Sequence, residues 1–319
     1  MTETSPFKLS AIDVLWPGHI VDLVPQLDAL GYHRYWATEH YGPNQCASPT
    51  LLAGLAAGLA EGIRVGTAGV LLHFQSPFKV AEDFRLLELF FPGRIDLGVA
   101  SAFPGGPVRE ALLDGRPGPE EAAYAFKVAE LTRLVRRIPA DNGNVNTDLV
   151  GPQSDSVPEI WVCGLRPRSA ELAGRLGTAY AFHDFIHRNS GRALDDGPSV
   201  LAAYRSAFRP APEFHRPLTN VACYGICADT QERARELWRA EFASTRAAGP
   251  RLHPELGAAE PEPCFLGTPE QCRDQLRDIR QRYGADELVI QSLTHDVDAR
   301  RLSYKRLAEA FELPARTSS

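Results

Sequence analysis

No stretch of the chain approaches the roughly 18 uncharged apolar residues that a membrane-spanning helix needs, so no membrane span is expected. The opening MTETSPFKLSAIDVL lacks a charged start followed by a long apolar run, and no secretory leader is expected. No Cys-x-x-Cys pair occurs. The six cysteines (Cys46, Cys163, Cys223, Cys227, Cys264, Cys272) are scattered, with Cys223 and Cys227 four apart on an apolar run. That pattern argues against zinc and disulfide frameworks and predicts reduced, mostly buried thiols in a cytoplasmic protein. A basic excess is missing as well. Thirty-four Lys and Arg face 40 Asp and Glu, a net charge of −6, so nucleic acid is not the expected partner. A local anion site stays compatible with that balance.

What is present is a 319-residue chain with 44% hydrophobic and 23% charged residues, enough for a sizeable core. Short β-rich runs alternate with longer helical patterns. Leu9–Val14 reads as a strand, and Tyr32–Thr38 as an aromatic-rich one. Ile63–Leu72 reads as a buried strand broken by glycines, and Ile95–Ala100 as a fourth. Ile160–Cys163, Thr178–Phe182, Thr219–Cys227 and Leu288–Gln291 complete eight. Between them, Ile20, Leu23, Val24, Leu27 and Leu30 fall at helical spacing and close at Gly31. Ser48-Pro49, Pro77 and Thr268-Pro269-Glu270 are helix starts. Further helical segments are expected over Glu120–Arg137, Ser169–Leu176, Val200–Phe208, Gln231–Phe242 and Ala299–Phe311.

Strand then helix, eight times over with no domain-sized linker, predicts the α/β class. It favours one (β/α)8 TIM barrel over residues 1–319 rather than a doubly wound open sheet. The Ala/Gly/Pro-rich Ala247–Pro263 reads as an irregular excursion after strand seven. In such a barrel, active groups lie where strands end and the following loops begin.

Segments at those strand ends carry a resemblance. RYWATEHYGPNQCASPTLLAGLAA (Arg34–Ala57) resembles the RYW-x-x-EHH segment of the bacterial luciferase-like flavin-dependent monooxygenases. IRVGTAGVLLHFQSPFKVAEDFRLLELFFPGRIDLGVAS (Ile63–Ser101) resembles that family's next block almost throughout. EIWVCGLRPRSAELAGRLG (Glu159–Gly177) is similar to its fifth-strand block. The likeness covers most of the chain, most strongly to about residue 105. It implies a (β/α)8 barrel, usually dimeric, binding reduced FMN (FMNH2) that a separate NAD(P)H-flavin reductase supplies. It implies an enzyme, a two-component monooxygenase that activates O2 as a flavin C4a-(hydro)peroxide and oxygenates a small organic substrate. One branch of the family uses the deazaflavin F420 for hydride transfer instead, and some relatives bind flavin without turnover.

The resemblance also assigns roles. Glu39 and His40 end the second strand; His40 is the expected base beside the flavin, near neutral pH. Without the resemblance, a structural Glu-His pair with satisfied hydrogen bonds is the favoured reading. Thr67, Ala68 and Gly69 are the expected flavin seat, with a non-prolyl cis peptide at Ala68-Gly69; a strand glycine making room for core packing is the plainer alternative. Gly164, Arg166, Arg168 and Ser169 open a helix after the fifth strand, a natural phosphate site. Ser101 ends the fourth strand where luciferases carry an arginine, and there the chain departs from the family. Tyr41 and His73 are further departures, and they suggest a substrate other than a simple long-chain aldehyde, with natural-product tailoring in secondary metabolism as the inclination. Trp16, Tyr41, Phe74, Phe103, His183 and Phe185 are expected to line a substrate pocket. The HDFIH run (His183, Asp184, His187) is read as pocket lining rather than as a metal site, and no metal is expected. Apolar surface on the helices Leu51–Ala60 and Val80–Phe91 predicts a homodimer.

Overall fold

Alternating apolar residues give strands whose inner face fills a barrel and whose outer face meets helices. The computed structural model describes residues 7–13, 17–42, 45–118, 121–139, 146–190, 194–248 and 261–316. Strand β1 (Lys8–Asp13) leads to α1 (Ile20–Ala29), and β2 (Arg34–Ala37) to α2 (Pro49–Gly58). The third barrel stave is two pieces, β3 (Arg64–Thr67) and β4 (Val70–Leu71), followed by α3 (Pro77–Phe90). After β5 (Ile95–Ala100) come α4 (Gly106–Leu113) and α5 (Glu121–Arg136). Then follow β6 (Glu159–Gly164), α6 (Pro167–Leu176), β7 (Ala179–His183), α7 (Asp184–Asn189) and α8 (Gly197–Ala207). Strand β8 (Thr219–Cys227) precedes α9 (Gln231–Ala248), β9 (Phe265–Gly267) and α10 (Pro269–Tyr283). The described elements end with β10 (Glu287–Ser292) and α11 (Val297–Ala310).

All strand pairings are parallel, and β10 pairs with both β1 and β8, which closes the barrel. The eight staves are β1, β2, β3–β4, β5, β6, β7, β8 and β10, a closed (β/α)8 barrel. Strand β9 lies outside the ring, paired to the end of β8. Its three residues are too few for a period-2 pattern, and no such strand is expected from sequence. The single run expected over Ile63–Leu72 splits: Val65 and Gly66 pair with the first half of β5, and Val70 and Leu71 with its second half. Between the halves, the Ala68-Gly69 peptide is cis, where the resemblance places one. Most of the excursion after β8 lies outside the described residues; its first part is the end of α9.

The bottom of the barrel is plugged by charge. Arg34 reaches Asp96 at 2.6 Å, Glu159 at 3.0 Å and Glu287 at 3.0 Å, and Arg64 reaches Asp96 at 2.6 Å. Above this layer Trp36 and Trp161 meet edge to face, 5.4 Å between centroids, and the Arg34 guanidinium lies 5.0 Å from the Trp161 ring. Gly98 admits no side chain, since a Cβ there would lie 1.9 Å from the Thr67 carbonyl oxygen. Helix ends follow local chemistry: α10 starts at a Thr268–Gln271 capping box, and α6 and α10 stop at Gly177 (φ +62°) and Gly284 (φ +58°).

Candidate active site

The strands' carboxyl ends converge on one mouth. Glu39, just past β2, is buried and doubly bonded. It accepts from the Leu71 amide at 2.8 Å and from the Tyr41 hydroxyl at 2.6 Å. Burial raises its pKa, and the two hydrogen bonds work against that rise. His40 is half-buried, and its amide donates to Cys46 at 2.9 Å, which folds the segment after β2 back on itself. Tyr41 is half-buried, its hydroxyl pKa raised by burial and by Glu39.

Ala68 lines a small cavity within the barrel, together with Ile12, Trp36, Ala181, His183, Asn220, Ala222 and Val289. Two polar atoms of this lining, Trp36 Nε1 and Asn220 Oδ1, are buried and have no hydrogen-bond partner among the described residues. Gln291 Oε1, on the neighbouring strand, is in the same state. Buried polar atoms of this kind are normally paired, so the cavity is chemically prepared for a polar guest. The Thr67 hydroxyl is otherwise engaged: it donates to the Gly98 carbonyl at 2.9 Å and accepts from the Gly98 amide at 3.2 Å, clamping β3 to β5.

The β6–α6 corner has the form of an anion site. Arg166 is the cap residue, and no side chain caps the helix N-terminus. Arg166 and Arg168 are exposed there. The Ser169 hydroxyl, expected as a donor to a phosphate, turns inward, donating to the Arg166 carbonyl at 2.8 Å and lying 3.0 Å from the Tyr180 hydroxyl. Gly164 leaves room for that pair, since a Cβ would meet Ser169 Oγ at 2.3 Å. Ser101 is exposed at the end of β5.

The expected pocket residues separate. His73 is buried, stacked on Phe103 at 4.5 Å and tilted against Tyr124 at 5.0 Å; Phe74 meets Phe103 edge to face at 5.7 Å. Burial lowers the His73 pKa, and the Lys127 cation adds to the effect. Lys127 secures this corner by donating to the carbonyls of Leu72, His73 and Gln75. His183 lines the cavity. Phe185 is buried against Tyr224 at 5.2 Å and presents no open surface. Asp184 is buried in a pair with Arg188 and accepts from Tyr283 at 2.5 Å, and His187 lies 2.7 Å from the Asp195 carbonyl oxygen. Asp184, Cys223 and Cys264 lie within 4.8 Å of one another, but Arg188 already neutralises the carboxylate. Trp16 lies outside the described residues.

Sequence reasoning missed Trp36 and Asn220 as lining, although period-2 alternation along β8 would have turned Asn220 and Ala222 inward. It also missed Glu241 and His295, which lie 54 residues apart and meet only in the fold. Among the described residues no helix is long and apolar enough to cross a membrane, and all six cysteines are free thiols.

A family model described as luciferase-like monooxygenase matches residues 13–287. The chain is 33% identical to the uncharacterized protein YceB of Bacillus subtilis (strain 168), across 92% of this chain and 93% of that one. It is 28% identical to the N-acetyl-S-alkylcysteine monooxygenase of the same strain, across 92% and 91%. Among solved structures it is similar to apo-MsnO8, with a TM-score of 0.83, 30% identity, and coverage of 97% of this chain and 100% of that one. The family match, the eight-stave barrel and the Glu39-His40 strand end agree, and the chain belongs to the luciferase-like monooxygenase family.

Proposed function

We propose that the protein is an FMNH2-dependent monooxygenase that oxygenates a small organic substrate, its reduced flavin coming from a separate NAD(P)H-flavin reductase. The observation that carries this reading is the mouth itself. A family-type Glu39-His40 pair after β2, small backbone at Ala68-Gly69 within the third stave and an uncapped helix N-terminus with Arg166 and Arg168 after β6 all stand at strand ends of the one closed barrel. The unpartnered Trp36 and Asn220 atoms leave the cavity lining short of polar partners. When bound, reduced FMN supplies the electrons for O2 activation.

The chain's own residues do the rest. The free amides at the start of α6, with Arg166 and Arg168, bind phosphate in place of the arginine that luciferases carry near Ser101. His40 is the base and proton carrier near neutral pH. Glu39 fixes the two loops between which His40 stands. His73, Phe74 and Phe103 supply an apolar wall that excludes water. The departures at Tyr41 and His73 support a substrate other than a simple long-chain aldehyde, consistent with natural-product tailoring. Leu51 and Leu55 on α2, and Leu86, Leu89 and Phe90 on α3, are exposed apolar residues and support a homodimer through these helices. The free thiols support a cytoplasmic setting.

Anaerobic titration tests the cofactor assignment. FMNH2 is expected to bind in the micromolar range or tighter, and Arg166→Ala with Arg168→Ala to weaken it more than it weakens reduced riboflavin, which lacks the phosphate. Tight binding of F420 with no binding of FMNH2 would replace this reading with a deazaflavin-dependent hydride transfer.

A further inference from the structure

Helix α4 follows the carboxyl end of β5, next to the third stave, and is held to the barrel more lightly than its neighbours. None of its eight residues is buried. Val108, Leu112 and Leu113 form a half-buried apolar stripe, and the others are exposed. Among the described residues, no side chain of α4 makes a hydrogen bond or an ion pair with another element. Its ring contact runs through one residue: the Arg109 guanidinium lies 4.9 Å from the Phe103 ring, and Phe103 stacks on His73 at 4.5 Å. Phe103 is itself 41% exposed. Other segments at this end are pinned by hydrogen bonds. Glu39 holds the Leu71 amide, and Lys127 holds the carbonyls of Leu72, His73 and Gln75. Asn189 holds Glu262 by both its amide and its carbonyl.

The helix is nonetheless a rigid piece. Arg116 donates to the carbonyls of Leu112 at 3.0 Å and Leu113 at 2.9 Å, and the Asp114 amide donates to Glu110 at 3.1 Å. Its last turn is thus closed from within its own segment. Backbone freedom lies at the two ends. Gly106 (φ +42°) starts the helix and Gly115 (φ +73°) follows its cap, and at both a Cβ would meet nothing within 4 Å. A helix this short gains too little from propagation to persist in water, and packing of its apolar face is what sustains it. That face is only half covered where α4 lies. We propose that α4 is a lid, a paddle that turns on Gly106 and Gly115 and lays Val108, Leu112 and Leu113 over the mouth when a ligand is bound there. The Phe103–His73 stack is the latch of the open position. Closure removes water from the side of the mouth between the third stave and β5, next to Ala68-Gly69. This rests on reading the mouth as the cofactor and substrate site.

Hydrogen–deuterium exchange read by mass spectrometry on residues 103–116 tests it. In the free protein the α4 amides are expected to exchange far faster than those of α5, and anaerobic loading with FMNH2 to slow them about tenfold. Val108→Asn with Leu112→Asn removes the apolar stripe. It should abolish that protection and speed FMNH2 release, with the urea midpoint unchanged; a stripe that merely packs would lower the midpoint and leave the release rate alone. The anaerobic titration reads cofactor binding separately. If it shows F420 bound in place of FMNH2, F420 becomes the probe of closure. A bound cofactor that leaves α4 exchange unchanged overturns the lid, as does exchange in the free protein as slow as that of α5. Binding of neither cofactor overturns it too, since the site that the lid serves is then absent. Protection that rises with protein concentration, and not with FMNH2, assigns the stripe to a contact between copies and overturns it likewise.

Discussion

The Glu39 carboxylate accepts the Leu71 amide at 2.8 Å, so a residue just past β2 holds down the first residues past the cis Ala68-Gly69 peptide. The family's Glu-His pair is therefore divided in its labour. The glutamate is a buried brace, and the role toward a ligand is the one proposed for His40 beside it.

That division predicts different outcomes at one position. Glu39→Ala strands the Leu71 amide and the Tyr41 hydroxyl, and should lower unfolding free energy by about 1–3 kcal/mol. Glu39→Gln keeps an acceptor of the same shape and should stay within about 1 kcal/mol of wild type. Urea unfolding followed by circular dichroism reads both. Equal losses in the two variants would mean that the negative charge, not the hydrogen bonds, is what matters.

The buried charge plug gives a second expectation. Arg34 is shared by Asp96, Glu159 and Glu287, so Arg34→Met leaves carboxylates buried with too little positive charge. It should cost about 3–5 kcal/mol, measured as a lower urea midpoint at unchanged slope. A midpoint within error of wild type would show that water or Arg64 alone neutralises the layer.

His33 sets an acid limit on stability. Burial, with the neighbouring Arg34 and Lys8 cations, pushes its pKa down to about 3. An unfolded chain binds that proton near pH 6.5, so between pH 6.5 and about 3 the unfolded state holds more protons than the native one. The native state's advantage is whole above pH 6.5 and is lost as pH falls through this window. Asp28 and Asp96, whose pKa values are lowered, add to the acid loss at its lower end. His33→Gln should flatten the fall in thermal midpoint between pH 6.5 and 4.5 by the equivalent of a few kcal/mol at most. An unchanged slope would place the acid sensitivity elsewhere.

The exposed Phe90, Leu86 and Leu89 on α3, with Leu51 and Leu55 on α2, give the assembly prediction. Light scattering at micromolar concentration should show twice the chain mass, and Phe90→Glu should reduce it to the chain mass without loss of helix content. A wild-type monomer would leave these residues as ordinary exposed side chains.

Much of this was legible in sequence because the information is local. Short β-rich runs located all eight staves, Pro-first signals and Gly177 marked helix ends, and Glu39-His40 could be placed by the strand that precedes them. What was hidden is non-local. Ser169 looked like a ligand donor, but its hydroxyl meets Tyr180, 11 residues away, and the hydroxyl of Thr67 in the expected flavin seat is bonded to Gly98, 31 residues away. Asp184 in the HDFIH run is claimed by Arg188 and by Tyr283, 99 residues on. The β3–β4 break is a backbone event that a run of Val, Gly and Leu does not announce, and the Glu241–His295 pair has no signature in either segment.

The monooxygenase assignment is tested most directly by oxygen itself. Protein loaded anaerobically with FMNH2 is mixed with oxygenated buffer in a stopped-flow instrument, and the return of oxidised-flavin absorbance is followed. The account predicts a return distinctly slower than that of free FMNH2, and faster again in His40→Ala. A time course that matches free FMNH2, in a protein shown by titration to hold it, would contradict the account.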